Sequence, residues 1–339
     1  MNGSTQVDET LARYSDLLFG TAMAVYVVAA FLFFGALAAV RGRKLEEREL
    51  VRAGAGASGN GTTTEDRVPG RVEGPQRRTL GDKLGNMGLP VVIVGLIAHL
   101  ASIVLRAMAT ERVPWGNMYE FISMTCAAGV IAALVILRKH RPLLSFVLLP
   151  VVLLMFIAGR WLYTQAAPVV PALKSYWLAV HVSIISVSSG ILMVSGVASI
   201  LYLLKLRFAA NPADDTSSTT RSGFGGAMRR IIDHVPSAEN LDRLAYRTVV
   251  VGFPLFGLGV ICGAIWAEAA WGRFWGWDPK ETVSFIAWVI YAAYLHARAT
   301  AGWRNTSAAW INVAGFVAML FNLFIINLVV SGLHSYAGL

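Results

Sequence analysis

Long runs of apolar residues, separated by short polar segments, dominate the chain. An α-helix of about 20 apolar residues is long enough to cross the roughly 30 Å hydrocarbon core of a bilayer. The pattern therefore predicts an all-α fold, a polytopic membrane bundle of about eight transmembrane helices. The predicted spans are residues 16–40, 86–106, 118–137, 143–159, 176–204, 248–269, 282–299 and 308–331.

Composition and charge agree with a membrane location. The 339 residues are 56% hydrophobic and only 14% charged, which lies outside the range of soluble domains. If the N-terminus is external, 22 of the 29 lysines and arginines fall in cytoplasmic segments, as the positive-inside rule requires. Both termini are then external. The net charge of +9 is spread over several loops, which favours contact with membrane lipid and excludes a nucleic-acid partner.

The chain divides into three parts along its length. Residues 1–40 predict an N-terminal transmembrane helix that looks like an appendage to the rest. Residues 41–85 hold ten basic and seven acidic residues among many glycines and threonines, which predicts a flexible cytoplasmic linker. Residues 86–339 predict a dense helical bundle, where the function should lie.

Histidines are the informative polar residues of this bundle. No carboxylate lies in the middle of a predicted helix, which disfavours transport of protons or cations. The topology puts His181 and His334 on the external face, whereas His140 and His234 are cytoplasmic. Two facing imidazoles can hold a haem iron axially. The alternative is an interfacial histidine with local hydrogen bonds.

An aromatic loop lies between these two histidines in the sequence. Residues 271–282, WGRFWGWDPKET, place four large rings within seven residues, with two glycines that allow close approach to a flat ligand. Such rings can form walls for a porphyrin. The alternative is an aromatic belt at the membrane interface, which requires neither the interleaved glycines nor the terminal Asp278.

This loop resembles the tryptophan-rich (WWD) motif of membrane haem-handling proteins. Together with RVPWGNMYEF at 112–121 and SGLHSYA at 331–337, it is similar to the CcsA/ResC family of cytochrome c biogenesis by system II. The resemblance covers residues 86–339. It implies that the axial ligands of an external haem are His181 and His334, and that His296 is an intramembrane haem ligand. The implied aromatic platform comprises Trp271, Trp275, Trp277 and Asp278.

The resemblance also implies an activity and partners. The expected role is in a cytochrome c haem lyase, in which haem b, both substrate and bound ligand, is joined by thioethers to CxxCH apocytochromes. A ResB-like membrane subunit would complete this synthase in the bacterial cytoplasmic membrane and supply a second ligand opposite His296. His99 is expected to be a histidine with its hydrogen bonds satisfied inside the bundle. The alternative functions are a cytochrome b-like electron-transfer subunit and a transporter of haem or another amphiphile.

Overall fold

The computed structural model describes residues 7–57, 80–138, 140–167, 175–209, 232, 235–300, 302–303 and 305–334. Within these ranges the regular structure is helical, as predicted. A short 3₁₀ turn, Arg141–Leu143, precedes the fourth helix, and a π-helical turn, Asn322–Ile326, follows the eighth. The described α-helices are α1 Glu9–Ala57, α2 Leu80–Thr110, α3 Met118–Ile136, α4 Leu144–Trp161, α5 Tyr176–Ala209, α6 Ala238–Trp271, α7 Pro279–Ala299 and α8 Thr306–Phe321.

Seven of these eight helices are long and apolar enough to cross a membrane. Helix α7 is also long enough, at 21 residues, but it is less apolar because Trp288, Tyr291, Tyr294, His296 and Arg298 interrupt its hydrophobic run. The chain is therefore a multi-pass membrane protein with a helical bundle, which confirms the predicted fold class.

Helical structure extends beyond the predicted spans at several ends. Helix α1 continues through residues 41–57, and α2 already begins at Leu80, so both ends of the predicted linker are helical. Helix α6 begins at Ala238, ten residues before the predicted span. The remainder of the predicted linker, residues 58–79, lies outside the described residues.

Helix α1 belongs to the core of the bundle, which corrects its interpretation as an appendage. Tyr26 and Phe33 of α1 are fully buried. Two glycines of α2 receive these rings, since a Cβ atom at Gly95 would lie 2.9 Å from Tyr26 and one at Gly88 would lie 2.8 Å from Phe33. The close packing of large rings onto glycines joins α1 to the rest of the protein.

One end of the bundle, which we call the site end, gathers segments that are distant in sequence. The end of α2, the start of α3, the end of α4 and the start of α5 meet there with the end of α6 and the start of α7. Asp8 N–H donates to the Ala109 carbonyl at 3.0 Å, and Arg106 donates to the Thr164 carbonyl. Residues 331–334, which follow α8, also lie at this end, where His334 contacts Asp278.

Candidate functional site

A cavity opens at the site end between α3, α5, α6, α7 and α8. Its empty volume is about 1050 Å³, part of which is continuous with the surroundings. Most of its wall is apolar or aromatic. The polar residues that line it are Thr125, His181, Ser189, Lys280, Glu281, Ser284, Asn322, Asn327 and His334.

His181 enters this cavity from the second turn of α5. Its Nδ1 atom lies 2.7 Å from the carbonyl oxygen of Gly259 on α6. A carbonyl only accepts hydrogen bonds, so Nδ1 carries the proton and Nε2 keeps its lone pair. The contact requires a small neighbour, because a Cβ atom at Gly263 would lie 2.6 Å from the imidazole. The packing of α5 on α6 thus fixes both the orientation and the tautomer of His181.

His334 reaches the same cavity from the segment after α8. Its Nδ1 atom lies 2.8 Å from Oδ2 of Asp278, and Oδ1 of Asp278 accepts from the Leu333 N–H at 2.7 Å. Gly332 permits this approach, since a Cβ atom there would lie 2.7 Å from Oδ1 of Asp278. The carboxylate therefore receives the Nδ1 proton, and the lone pair of the neutral imidazole lies on Nε2.

Asp278 holds this position because it is also the N-cap of α7. Its side chain accepts from the Lys280 N–H at 3.2 Å, and Glu281 completes a capping box by accepting from the N–H groups of Gly276 and Asp278. Pro279 occupies the first helical position, where its missing N–H has no cost. The start of α7 and the orientation of His334 thus depend on the same carboxylate.

Burial and the positive charge of Lys280 favour the neutral form of His334. Burial, followed by the positive charge of Lys280, lowers the pKa of His334 to about 4 despite the adjacent carboxylate. Burial alone would raise the pKa of Asp278, but hydrogen bonds from Leu333 and His334 lower it below its ordinary value. At neutral pH the pair is a neutral imidazole beside an ionised carboxylate, which is the state in which imidazole binds metal.

Two tryptophans from the end of α6 contact the imidazoles. The ring of Trp266 is stacked 6.4 Å from that of His181 and lies 6.1 Å from that of His334. Trp271 lies edge-on to Trp266 at 4.8 Å and to His334 at 5.2 Å. Trp266 was not predicted, although it lies in the same helix five residues before Trp271, because it falls inside an apolar run rather than in the aromatic loop.

The aromatic loop itself is divided by the structure. Trp271 and Trp275 line the cavity, whereas Trp277 is 67% exposed and outside its lining. Phe274 is likewise exposed. Trp277 adopts a φ of +56°, a left-handed conformation that is uncommon for a residue with a side chain. Trp275 is therefore a wall residue of the cavity, and Trp277 presents its ring to the outside of the protein.

The other histidines lie away from this cavity. His296 is exposed near the far end of α7, at the opposite end of the bundle from His181. His99 is fully buried, with Nε2 3.0 Å from the Ser123 hydroxyl and Nδ1 3.4 Å from the Tyr26 hydroxyl. This arrangement agrees with the satisfied histidine expected at position 99. His234 lies outside the described residues.

A buried charge network supports the cavity on the side of α3. Oε1 of Glu120 accepts from Arg106 Nε at 3.1 Å, and Oε2 accepts from Arg112 at 2.7 Å and from the Gly116 N–H at 2.8 Å. The side chains of Arg106 and Glu120 are almost completely buried. Phe121, the next residue, lines the cavity. The network fixes residues 111–117 and the first turn of α3 against the site.

These features define a class of protein: a multi-pass helical membrane protein with two oriented imidazoles in a tryptophan-lined cavity. Comparison with known proteins gives the family. Residues 115–334, which include both imidazoles and the aromatic loop, match the family model described as cytochrome C assembly protein. The chain belongs to this family.

Curated relatives support the same assignment. A protein of Gloeobacter violaceus named cytochrome c biogenesis protein CcsA is 34% identical over 297 residues, covering 76% of this chain and 88% of the relative. A protein of the same name from Parasynechococcus marenigrum is 36% identical over 262 residues, covering 72% and 86% respectively.

Proposed function

We propose that this protein binds haem in the cavity at the site end and presents it for covalent attachment to CxxCH apocytochromes c. The observation that supports this most strongly is the matched state of the two imidazoles. Nδ1 of His181 donates to a backbone carbonyl and Nδ1 of His334 donates to a carboxylate, so both imidazoles have the tautomer with the lone pair on Nε2, the nitrogen that would bind the metal. The relatives named for cytochrome c biogenesis agree with this function.

The walls of the cavity suit a porphyrin. Trp266, Trp271 and Trp275 offer flat aromatic surfaces, and the apolar side chains of α5, α6 and α8 remove ring surface from water. Axial imidazoles hold the iron, and the aromatic rings fix the plane of the macrocycle. Haem b is then both the bound ligand and the substrate.

Attachment proceeds by addition of the two cysteine thiols of the apocytochrome across the two vinyl groups of haem. Each addition forms a C–S bond and transfers the thiol hydrogen to the vinyl group. The contribution of this chain is to hold the reacting groups in position, and the histidine of CxxCH replaces one axial imidazole as the product leaves.

A ResB-like membrane subunit is the proposed partner in this synthase. The exposure of His296 near the far end of α7 supports this proposal, because its imidazole is accessible to a ligand or to another chain at the surface of the bundle. With that partner, His296 would bind haem on its way from the cytoplasmic side.

The proposed location is the bacterial cytoplasmic membrane, with the site end external. The distribution of lysine and arginine supports this orientation. A reporter enzyme that is active only outside the cytoplasm should therefore be active when it is fused after Leu339. Activity of a strictly cytoplasmic reporter at the same point would contradict the orientation.

The experiment for haem binding replaces each imidazole in turn. His181→Ala or His334→Ala removes one Fe–N bond of about 2 Å and leaves a gap that free imidazole can fill. We expect less covalent haem on a reporter cytochrome in cells that also make the ResB-like partner, and partial recovery with added imidazole. His140→Ala, at the opposite end of the bundle, is the control. Normal maturation in either variant without imidazole would exclude that residue as a required ligand.

A further inference from the structure

We propose that Lys280 is the counter-ion of a haem propionate, so that the cavity selects a porphyrin that carries a free carboxylate. The inference rests on the proposed function, because it concerns the ligand held between His181 and His334. Coordination by two imidazoles accounts for how iron would be held. It gives no role to Lys280, which lies in the wall of a largely apolar cavity.

The position of Lys280 carries the argument. Its side chain is partly buried and lines the same cavity as both imidazoles. Nζ donates to Oδ1 of Asn327 at 2.6 Å, which is a neutral acceptor. Among the described residues, no carboxylate lies within ion-pair distance of this ammonium. The two nearest carboxylates in sequence, Asp278 and Glu281, are bonded to His334 and to backbone N–H groups.

Asn327 holds the lysine in this orientation. Its amide nitrogen donates backwards to the carbonyls of Asn322 and Leu323, at 3.2 and 2.8 Å, so Oδ1 is fixed towards Nζ. These carbonyls belong to the π-helical turn that follows α8, a type of helix defect that is frequent at functional sites. The ammonium is thus placed by a rigid support and retains two N–H donors for another acceptor.

A second polar group at the same wall also lacks a full set of partners. Asn322 lines the cavity and is 9% exposed. Its Nδ2 donates to the Ser284 hydroxyl at 2.7 Å, and its Oδ1 has no hydrogen-bond partner among the described residues. A half-turn of the amide lets the serine hydroxyl donate to Oδ1 and leaves an N–H donor at the position of the unpartnered oxygen.

A propionate fits these donors and the rest of the cavity together. Haem is a flat apolar ring with two carboxylates on one edge, and the cavity offers aromatic walls, two imidazoles and a cation. A charged ammonium in an apolar wall loses hydration, and an anionic ligand restores its interactions. An apolar lipid or a neutral amphiphile would leave this charge unpaired.

The test compares iron protoporphyrin IX with its dimethyl ester, in which both propionates are neutral. Each is titrated into the purified full-length chain in detergent, and the Soret band reports binding. We expect the wild-type protein to bind the free acid about tenfold or more tightly than the ester. Lys280→Met, which keeps the length and apolar stem of the side chain, should bind the two ligands equally, and Lys280→Arg should restore the preference. Lys83→Met, at an exposed lysine of α2 far from the cavity, should behave as wild type.

Each other outcome has a distinct meaning. If the wild type binds neither ligand, the proposed haem site is wrong and the role of Lys280 is wrong with it. If it binds both equally, haem binding stands and propionate recognition by this cavity is refuted. If Lys280→Met weakens both ligands by the same factor, the lysine has a structural role only, which also overturns the proposal.

Discussion

Replacing Asp278 with Asn tests the role of this residue in orienting His334. In the native protein Oδ2 receives the Nδ1 proton of His334 and Oδ1 receives the Leu333 N–H. Asparagine keeps the shape of aspartate, but Oδ2 is also the atom that accepts from the Lys280 N–H and caps α7. Only one of the two terminal side-chain atoms of asparagine is an acceptor, so asparagine can replace either Oδ1 or Oδ2 but not both.

The consequence for His334 is a change of tautomer. If the asparagine oxygen accepts from Leu333, its NH₂ group takes the place of Oδ2. The cap bond from the Lys280 N–H is then lost, and Nδ1 of His334 must become the acceptor and move its proton to Nε2. Nε2 of His334, the nitrogen that would bind iron, would then be protonated. Loss of such supporting contacts typically costs 10- to 100-fold in metal affinity, so we expect haem affinity to fall by about that factor. The free energy of unfolding should fall by about 1 kcal/mol, because the cap bond is lost while Glu281 still accepts from the Asp278 N–H.

Soret titration of the purified variant with ferric haem measures the affinity, and thermal unfolding in the same detergent measures stability. Asp242→Asn is a matched control, since Asp242 pairs with Arg298 at 2.6 Å at the opposite end of the bundle. Asp278→Ala should be the less stable variant, because alanine also loses the acceptor for the Leu333 N–H, at a cost of about 1 kcal/mol. Unchanged haem affinity in Asp278→Asn, with the protein folded, would refute the tautomer argument.

Three further predictions follow from the contacts. Trp275→Ala should lower the haem affinity, because Trp275 lines the cavity, whereas Trp277→Ala should bind haem nearly as tightly as wild type, because Trp277 is exposed. An equal loss of affinity in the two variants would contradict the placement of these rings. Glu120→Gln leaves two arginines without their carboxylate, and should lower the free energy of unfolding by about 3 kcal/mol in thermal denaturation, whereas a change under about 1 kcal/mol would show that the network is not stabilising. His334, whose pKa is lowered to about 4, should remain a neutral ligand as the pH falls from about 8 to about 5.5. The haem affinity of the His181→Ala variant, in which His334 remains, should therefore stay nearly constant over this range. A decline in affinity centred near pH 6.5 would contradict this expectation. Because the unfolded chain takes up this proton at about pH 6.5, the same shift should reduce the free energy of unfolding below that pH.

The helices were predictable because a segment that crosses a lipid bilayer must be a long run of apolar residues. A segment of about 20 apolar residues has no other favourable environment, so such runs gave seven of the eight helices, and the less apolar run at 282–299 gave α7. Their ends were less predictable. Helices α1 and α6 continue past the apolar runs, since backbone hydrogen bonding does not stop at the membrane surface and polar residues such as those at 41–57 tolerate it.

The site was predictable where its residues share a motif and unpredictable where they meet only in space. The aromatic loop and the two external histidines could be identified from residue type and topology. The pattern Asp278-Pro279-Lys280-Glu281 is a helix-start signal of the capping-box type, so the N-cap of α7 could be predicted from the sequence. Its contact with His334, 56 residues away, was not, because no periodicity relates a loop before one helix to the segment after another.

The different supports of the two imidazoles lead to a last prediction. A carboxylate raises the basicity of the imidazole it accepts from, and a backbone carbonyl does so less, so His334 should be the stronger iron ligand and His181 the weaker. A protein that must release its haem benefits from such asymmetry, because an incoming histidine then has one weaker bond to displace. The His181→Ala variant keeps the stronger ligand and should therefore retain more haem on purification than His334→Ala. Haem content per mole of folded protein measures this, with the wild type as reference. Equal content in the two variants, or more haem in His334→Ala, would show that the Asp278 carboxylate does not strengthen its histidine, and that the ligand exchanged during attachment is not set by these supports.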